Sequence, residues 1–522
     1  MVILLHAFNS LPPSILTSVF FALVEIPAYG KNDMIIYNKI ITRRGCIVVD
    51  NEKAPAGQVH KTLSNLDYFN VGFGAIVGIG WILMVGDWVV LGGGPLAAMI
   101  AFFLGGIALL PIAACFGELA TALPISGGIV EYVERAFGQK ASFLAGWLLA
   151  FGDGIVCPWE ALAITTIMTE LVSAYWPWLR SVKLYTIFGS DVYLYPLLFG
   201  LAAAGYVILQ NFRGASSMAK LQKFLTRMLF LGMFIAMVIS FWRGGTSNFY
   251  PLFQFVHGPA SETGGRDFCT ALISVLVLTP YFYTGLDTIP DQAEEARPDI
   301  NWKNYGRVIG LTVLVSAVFY CICIYSFSTI VPWTDFASRP IPALSVLRDI
   351  NGYLAIFMLI IATLSPLGPM NSLFSATSRI ILAMGRKGQL PAAFSRVDKR
   401  GTPKAANILL AVLTIIGPFL GYHMLLPLTE IAGLAFILPC TMVAAACLKF
   451  RTMYPDLKRP YHVPGGKLGI WLGIITGSFL TGLLLIPASP VSLDLREWII
   501  LSGWLLFGVY LYLRRDRSVQ NQ

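Results

Sequence analysis

Long runs of apolar residues constrain this chain more than any other feature of its sequence. The clearest runs cover residues 194–209, 229–241, 308–330, 353–367, 408–420 and 468–486. Several approach the ~20 residues that a helix needs to cross the hydrocarbon core of a bilayer. Charged residues make up only 12% of the chain, against about 25% in a typical soluble protein. The sequence therefore predicts an all-α integral membrane protein.

The hydropathy pattern predicts about twelve transmembrane helices. They lie near residues 66–90, 94–122, 140–172, 192–209, 219–242, 268–293, 304–331, 350–384, 405–421, 425–449, 467–486 and 497–513. With both termini in the cytosol, 30 of the 37 Lys and Arg residues fall in cytosolic segments. This bias follows the positive-inside rule and supports a multi-pass topology with both termini in the cytosol. The plasma membrane is the expected location. The bias also accounts for the net charge of +9 without nucleic-acid binding, because basic loops face an anionic cytoplasmic leaflet.

The cysteines and the known catalytic motifs argue against a metal site or an enzyme. Seven of the eight cysteines fall inside predicted spans, and none forms a C-x-x-C pair. Buried thiols of this kind behave as small apolar residues. The sequence contains no G-x-S-x-G, no H-E-x-x-H and no P-loop. We therefore expect no metal, no cofactor and no enzymatic activity.

Two predicted spans carry residues that interrupt a helix. The first has four glycines within Gly72–Gly80, and the sixth contains Pro280, Gly285 and Asp287. Glycines at this spacing also suit close helix packing, as in small-xxx-small contacts such as Gly74–Gly78. Interrupted helices at corresponding positions of two halves, however, are typical of the binding site of an inverted-repeat transporter.

Five sequence strings, in order, carry a family resemblance. They are Gly74–Gly80; Pro124 to Gly128 with Glu118 and Tyr132; Tyr283–Asp287 with Glu294, Glu295 and Pro298; Ser378 to Pro391 with Gly401-Thr402-Pro403; and Pro455–Leu457 with Arg459-Pro460 and Val463–Gly466. In these strings the chain resembles the amino acid–polyamine–organocation (APC) superfamily of permeases, over nearly all of residues 64–514.

The resemblance implies a fold of five plus five inverted helices, with helices one and six broken and two further helices at the C-terminal end. It divides the chain into a cytosolic N-terminal tail (1–63), a first repeat (64–242), a second repeat (243–450), and helices eleven and twelve with a short cytosolic tail (451–522).

The resemblance also implies a substrate site between the two broken helices. The substrate carboxylate would bind exposed N–H groups around Gly78, Ile79 and Gly80. Its ammonium would bind backbone carbonyls near Ile76, Tyr281 and Thr284. Ile79 replaces the small polar residue that the family has at its position, so a hydroxyl contact is lost there. The implied substrate-binding residues are Ile76, Gly78, Ile79, Gly80, Tyr281, Tyr283 and Thr284.

Three intramembrane acids are candidates for ion coupling, because an unpaired carboxylate at that depth is costly. Asp153 and Glu160 lie seven residues apart, on roughly one face of the third span, and Asp287 follows the break in the sixth. The lysine that many sodium-independent relatives carry in helix five is Leu229 here, so proton coupling, sodium coupling and exchange all remain open. The acids at cytosolic helix ends, Glu118 and Glu295 among them, suit structural ion pairs.

Together these features predict a secondary active transporter that moves an amino acid or a related small amine across the bilayer by alternating access. The alternatives within the same fold are a transporter of choline, a polyamine or GABA, and a nutrient sensor that does not transport. The expected partners are the substrate, a proton or sodium as coupling ion, and the surrounding lipid.

Overall fold

The computed structural model describes residues 63–125, 127–213, 216–254, 267–339, 341–399, 401–487 and 489–515. The predicted N-terminal tail, apart from Leu63, lies outside them. Helices dominate the described residues, and the two strands form one antiparallel hairpin.

The elements follow in chain order. They are α1 (Asn65–Ile76), α2 (Gly80–Leu83), α3 (Val85–Leu91), α4 (Pro95–Ala122), α5 (Gly128–Phe137), α6 (Gln139–Ile167), α7 (Ser173–Tyr175), β1 (Lys183–Ile187), β2 (Ser190–Tyr193), α8 (Leu194–Arg213), α9 (Ser216–Arg243), α10 (Phe268–Leu276), α11 (Thr279–Phe282), α12 (Thr288–Asp291), α13 (Trp302–Ile330), α14 (Trp333–Ser338), α15 (Pro342–Ile350), α16 (Gly352–Leu364), α17 (Leu367–Arg386), α18 (Lys404–Ile416), α19 (Leu425–Met453), α20 (Lys467–Leu485) and α21 (Leu495–Leu513).

Within the described residues, eight helical segments are long and apolar enough to cross a membrane. They are Asn65–Leu83, Pro95–Ala122, Gln139–Glu170, Leu194–Arg213, Trp302–Ile330, Gly352–Arg386, Tyr422–Met453 and Lys467–Leu485. Each matches one predicted span. The other four predicted spans fall on α9, on the interrupted segment from α10 to α12, on the shorter apolar helix Lys404–Phe419, and on α21. The total of twelve spans and the inverted repeat stay predictions.

Helix α6 lies at the centre of the bundle. It makes up most of the segment Gln139–Glu170, which is the most buried of the eight. In the apolar stretch of that segment, 83% of the residues are buried inside the protein. Helix α6 packs against α5, α8, α17, α18 and α19, and α4 and α13 pack along each other. Because α6 is surrounded, side chains on several of its faces reach other helices rather than lipid.

The first span is interrupted between Ile76 and Gly80. Its first half, α1, begins at Ser64, whose side chain and backbone exchange hydrogen bonds with Asp67 in a capping box. The helix ends where Val77 adopts an extended conformation (φ −96°, ψ 94°). The segment from Val77 to Ile79 therefore carries backbone groups that no regular helix satisfies.

The sixth span is interrupted next to the first. Gly285, between α11 and α12, has a φ of +112°, which L side chains rarely adopt. A Cβ on Gly285 would lie 2.8 Å from Cβ of Ala75 and 3.1 Å from the backbone nitrogen of Ile76. The interruption of the sixth span thus packs backbone to backbone against the end of α1.

Ion pairs tie the helices together at the end of the bundle that the sequence predicts to be cytosolic. Glu118, at 1% exposure, accepts hydrogen bonds from Arg451 Nε at 2.8 Å and from the backbone N–H of Val463 at 2.8 Å. Glu295 pairs with Arg379 at 2.6 Å. The predicted ion-pair role is confirmed for both glutamates, and the loop before α20 is anchored on α4 through Glu118.

We expect Glu118→Gln to lower the free energy of unfolding by about 3 kcal/mol, because removing one partner of a buried ion pair leaves the other charge without compensation. The measurement is the thermal unfolding midpoint in detergent. The control is Glu170→Gln, which breaks an exposed pair with Arg180 that contributes less than about 1 kcal/mol. Equal midpoints for the two variants would contradict a structural role of Glu118.

Candidate functional site

A small cavity lined by buried residues lies where the two interruptions meet. We call it the central cavity; its volume is about 20 Å³, little more than the roughly 10–15 Å³ that one water needs. The lining residues are Ala75, Ile76, Gly78, Gly80, Val156, Trp159, Glu160, Tyr281, Phe282, Thr284 and Pro369. Both broken spans, α6 and α17 therefore contribute to one site.

The carboxylate of Glu160 sits on the interruption of the first span. It accepts a hydrogen bond from the backbone N–H of Ile79. A Cβ on Gly78 would overlap Oε1 of Glu160 and would lie 3.0 Å from its Cδ, so only glycine allows this approach. The second oxygen, Oε2, has no hydrogen-bond partner in the described chain. The N–H group that the sequence assigned to a substrate carboxylate is therefore engaged by a carboxylate of the protein.

Three aromatic rings form one wall of the central cavity. The ring centroid of Tyr281 lies 5.4 Å from that of Trp159 and 5.1 Å from that of Phe282. Trp159 is held in place because its indole N–H donates to the carbonyl of Leu425 at 3.0 Å. The hydroxyl of Tyr281 is buried and has no partner among the described residues. The wall thus presents π faces together with one unsatisfied hydroxyl.

The hydroxyl of Tyr320, on α13, contacts both interruptions. This hydroxyl lies 3.2 Å from the carbonyl oxygen of Ile76 and 3.0 Å from that of Phe282. These carbonyls end α1 and α11, so a single side chain serves both broken spans. Tyr320 is not among the residues that the sequence predicts for the site, because nothing in the local pattern of α13 distinguishes it.

We expect Tyr320→Phe to reduce the maximal uptake rate about tenfold, because the two helix ends lose a shared hydrogen-bond donor worth about 1–1.5 kcal/mol. The measurement is initial uptake into liposomes at saturating substrate. The matched control is Tyr325→Phe on the same helix, whose ring packs on Phe241 and Phe249 away from the cavity. Wild-type uptake by both variants would show that the bridge has no part in the cycle.

The other predicted substrate-binding residues fall at different distances from the cavity. Thr284 lines it, although its hydroxyl donates to the carbonyl of Pro280 at 3.2 Å. Tyr283 does not line it; its hydroxyl donates to the carbonyl of Phe102 at 2.8 Å. Because Tyr281 and Tyr283 are two residues apart in a nearly helical segment, their side chains point in different directions.

The acids of α6 contact different interruptions. Asp153 is fully buried, and its carboxyl group faces that of Asp287, whose Oδ1 accepts from the N–H of Gly285 at 3.2 Å. Neither oxygen of Asp153 has a standard hydrogen-bond donor among the described residues. The other titratable or charged groups near this pair, among the described residues, include Cys157, Asp291, Cys440 and, beyond Asp291, Arg379. The carboxyl group of Glu160 thus contacts the first broken span, and that of Asp153 contacts the sixth.

Comparison with known proteins agrees with this arrangement. A family model described as amino acid permease matches residues 63–510. The chain belongs to the amino acid permease family. This match confirms the resemblance to the APC superfamily and shows that the protein is a membrane transporter rather than an enzyme.

Several characterised relatives of this permease align over most of its length. An aspartate-proton symporter of Bacillus subtilis is 27% identical and covers 88% of this chain and 90% of its own. An L-asparagine permease of Salmonella typhimurium is 24% identical, and the alignment covers 86% of this chain and 89% of the relative. A gamma-aminobutyric acid permease of Escherichia coli is 23% identical, and the alignment covers 87% of this chain and 94% of the relative. The substrates in these names differ from one another, so similarity at this level does not single out one.

Proposed function

We propose that the chain is a secondary active transporter that takes an amino acid or a related small amine through the central cavity by alternating access. The observation that carries this proposal is the meeting of two interrupted spans around one buried cavity. Such interruptions expose backbone donors and acceptors at membrane depth, where a regular helix would satisfy them internally. The relatives named above are permeases and a symporter, which supports the same mode of action.

In this proposal the substrate lies between Glu160, Tyr281 and the backbone of both interruptions. The substrate-binding set is Ile76, Gly78, Ile79, Gly80, Tyr281 and Thr284. Tyr283 is left in a packing role, because its hydroxyl is satisfied by α4. The cavity volume of about 20 Å³ is too small for an amino acid, so in this proposal the two interruptions separate before a substrate enters.

We further propose that a proton drives uptake through Asp153 and Asp287. Two buried carboxyl groups that face each other repel strongly when both are ionised, so one proton is favoured between them. That proton joins α6 to the interruption of the sixth span, where substrate binds. One relative is named a proton symporter. We also propose that the chain crosses the plasma membrane twelve times and has both termini in the cytosol.

The test uses the full-length protein in liposomes, with a panel of labelled amino acids and amines, with and without sodium and a pH gradient. We expect saturable uptake that shows counterflow and accumulates with an inward proton gradient. Accumulation that needs sodium instead would overturn the proton assignment. Binding without any uptake would favour a sensor over a transporter.

A further inference from the structure

The central cavity contains a buried carboxyl group without a cationic partner. Glu160 is 3% exposed, and no lysine, arginine or histidine occurs among the described residues that line the cavity. No ion pair to Glu160 forms within the described chain. A carboxylate at this depth is costly when unpaired. An ionised Glu160 therefore needs a cation that the residues lining the cavity do not supply.

The same carboxylate disfavours a substrate that carries its own α-carboxylate. Such a group would have to approach the N–H of Ile79, which Glu160 already engages. Two like charges about 4 Å apart at a partly buried site repel enough to weaken binding about a thousandfold. An uncharged or cationic group meets no such penalty at this position.

The remaining unsatisfied groups suit an ammonium ion. Oε2 of Glu160 and the hydroxyl of Tyr281 both lack partners, and both residues line the central cavity. The rings of Trp159, Tyr281 and Phe282 form the adjacent wall. Aromatic faces attract cations, most strongly where water is excluded. A charged oxygen, a hydroxyl and three rings are the chemistry that recognises a protonated amine.

Building on the proposed function, we propose that the transported substrate is a small protonated amine without an α-carboxylate, and that Glu160 is its counter-charge. The ammonium group donates hydrogen bonds to Oε2 of Glu160 and to the hydroxyl of Tyr281, and it lies against the ring of Trp159. Glu160 then takes the place that a substrate carboxylate would otherwise occupy at the first interruption. Glu160 is thus a specificity-determining residue rather than only a coupling candidate.

The test compares amines with the amino acids from which they differ only by the α-carboxylate. The pairs are tyramine and tyrosine, agmatine and arginine, and ethanolamine and serine, each measured for binding by thermal shift and for uptake into liposomes. We expect the amine of at least one pair to have a KM at least tenfold below that of its amino acid. Saturable uptake of amino acids in preference to every matched amine would overturn this inference and leave the proposed function intact. The absence of both binding and uptake would overturn both.

Variants of Glu160 give a second, independent readout. Glu160→Gln keeps the size of the side chain and an oxygen for the N–H of Ile79 but removes the charge. We expect it to raise the KM for the preferred amine at least thirtyfold. The ratio between the KM values of the matched amino acid and the amine should become smaller than in the wild type. The control is Glu170→Gln, the same change at an exposed position just beyond α6, with wild-type kinetics expected. An unchanged amine KM in folded Glu160→Gln protein, as judged by its unfolding midpoint, would overturn the counter-charge assignment.

Discussion

Gly78→Ala is expected to lower substrate uptake at least a hundredfold while the protein still inserts and folds. The added methyl would overlap Oε1 of Glu160 and lie 3.1 Å from Cγ of Pro369. Glu160 must then leave the N–H of Ile79, so a buried donor and a buried carboxylate both lose their partner, at about 1–3 kcal/mol each. The measurement is initial uptake per molecule of protein reconstituted in liposomes.

Two further variants make this prediction specific. Gly205→Ala on α8 is the matched control, because a Cβ there meets nothing within 4 Å; we expect wild-type uptake from it. In the double variant Gly78→Ala with Glu160→Asp, the shorter acid makes room for the methyl, and we expect uptake to recover about tenfold over Gly78→Ala alone. No recovery would mean that Gly78 acts through the helix interruption itself and not through Glu160.

Asp153→Asn is expected to separate exchange from proton-driven accumulation. Asparagine can donate a hydrogen bond to Asp287 and so imitates the protonated state of the pair, but it cannot release a proton. Accumulation driven by an inward proton gradient should fall at least tenfold, while counterflow of labelled substrate continues. The proton flux that accompanies uptake, read with a pH-sensitive dye inside the liposomes, should disappear.

The matched control for this variant is Asp191→Asn in the β-hairpin. Asp191 is exposed and pairs with Lys183 at 2.7 Å, far in sequence and environment from the buried acids. We expect its accumulation and proton flux to equal those of the wild type. Accumulation retained by Asp153→Asn, with proton flux unchanged, would assign coupling to a group other than this pair.

The sequence predicted the two interruptions because their causes are local. Glycines at Gly78 and Gly80 weaken a helix wherever they occur, and Pro280 with Gly285 breaks the regular hydrogen bonding of its own segment. The same holds for the eight apolar spans, since bilayer thickness sets their length. Local chemistry was enough to place both halves of the candidate site.

The contacts within the site depend on tertiary packing and could not be read from the sequence. Trp159 and Phe282 look like ordinary apolar residues until α6 and α11 are brought together. Tyr320 acquires its two carbonyl partners from spans that lie far away in the chain. The seven-residue spacing of Asp153 and Glu160 suggested one acid pair, whereas each acid contacts a different broken span. Their roles in coupling and binding stay predictions.

Helix α6 connects these two contacts mechanically. Asp153 and Glu160 are two helical turns, or about 10 Å, apart on the same helix, so a tilt or slide of α6 changes both contacts together. Thermodynamic linkage then applies: the factor by which substrate alters proton affinity at Asp153 equals the factor by which the proton alters substrate affinity at Glu160. Affinity measured across pH and proton uptake measured on binding should therefore give one and the same coupling free energy.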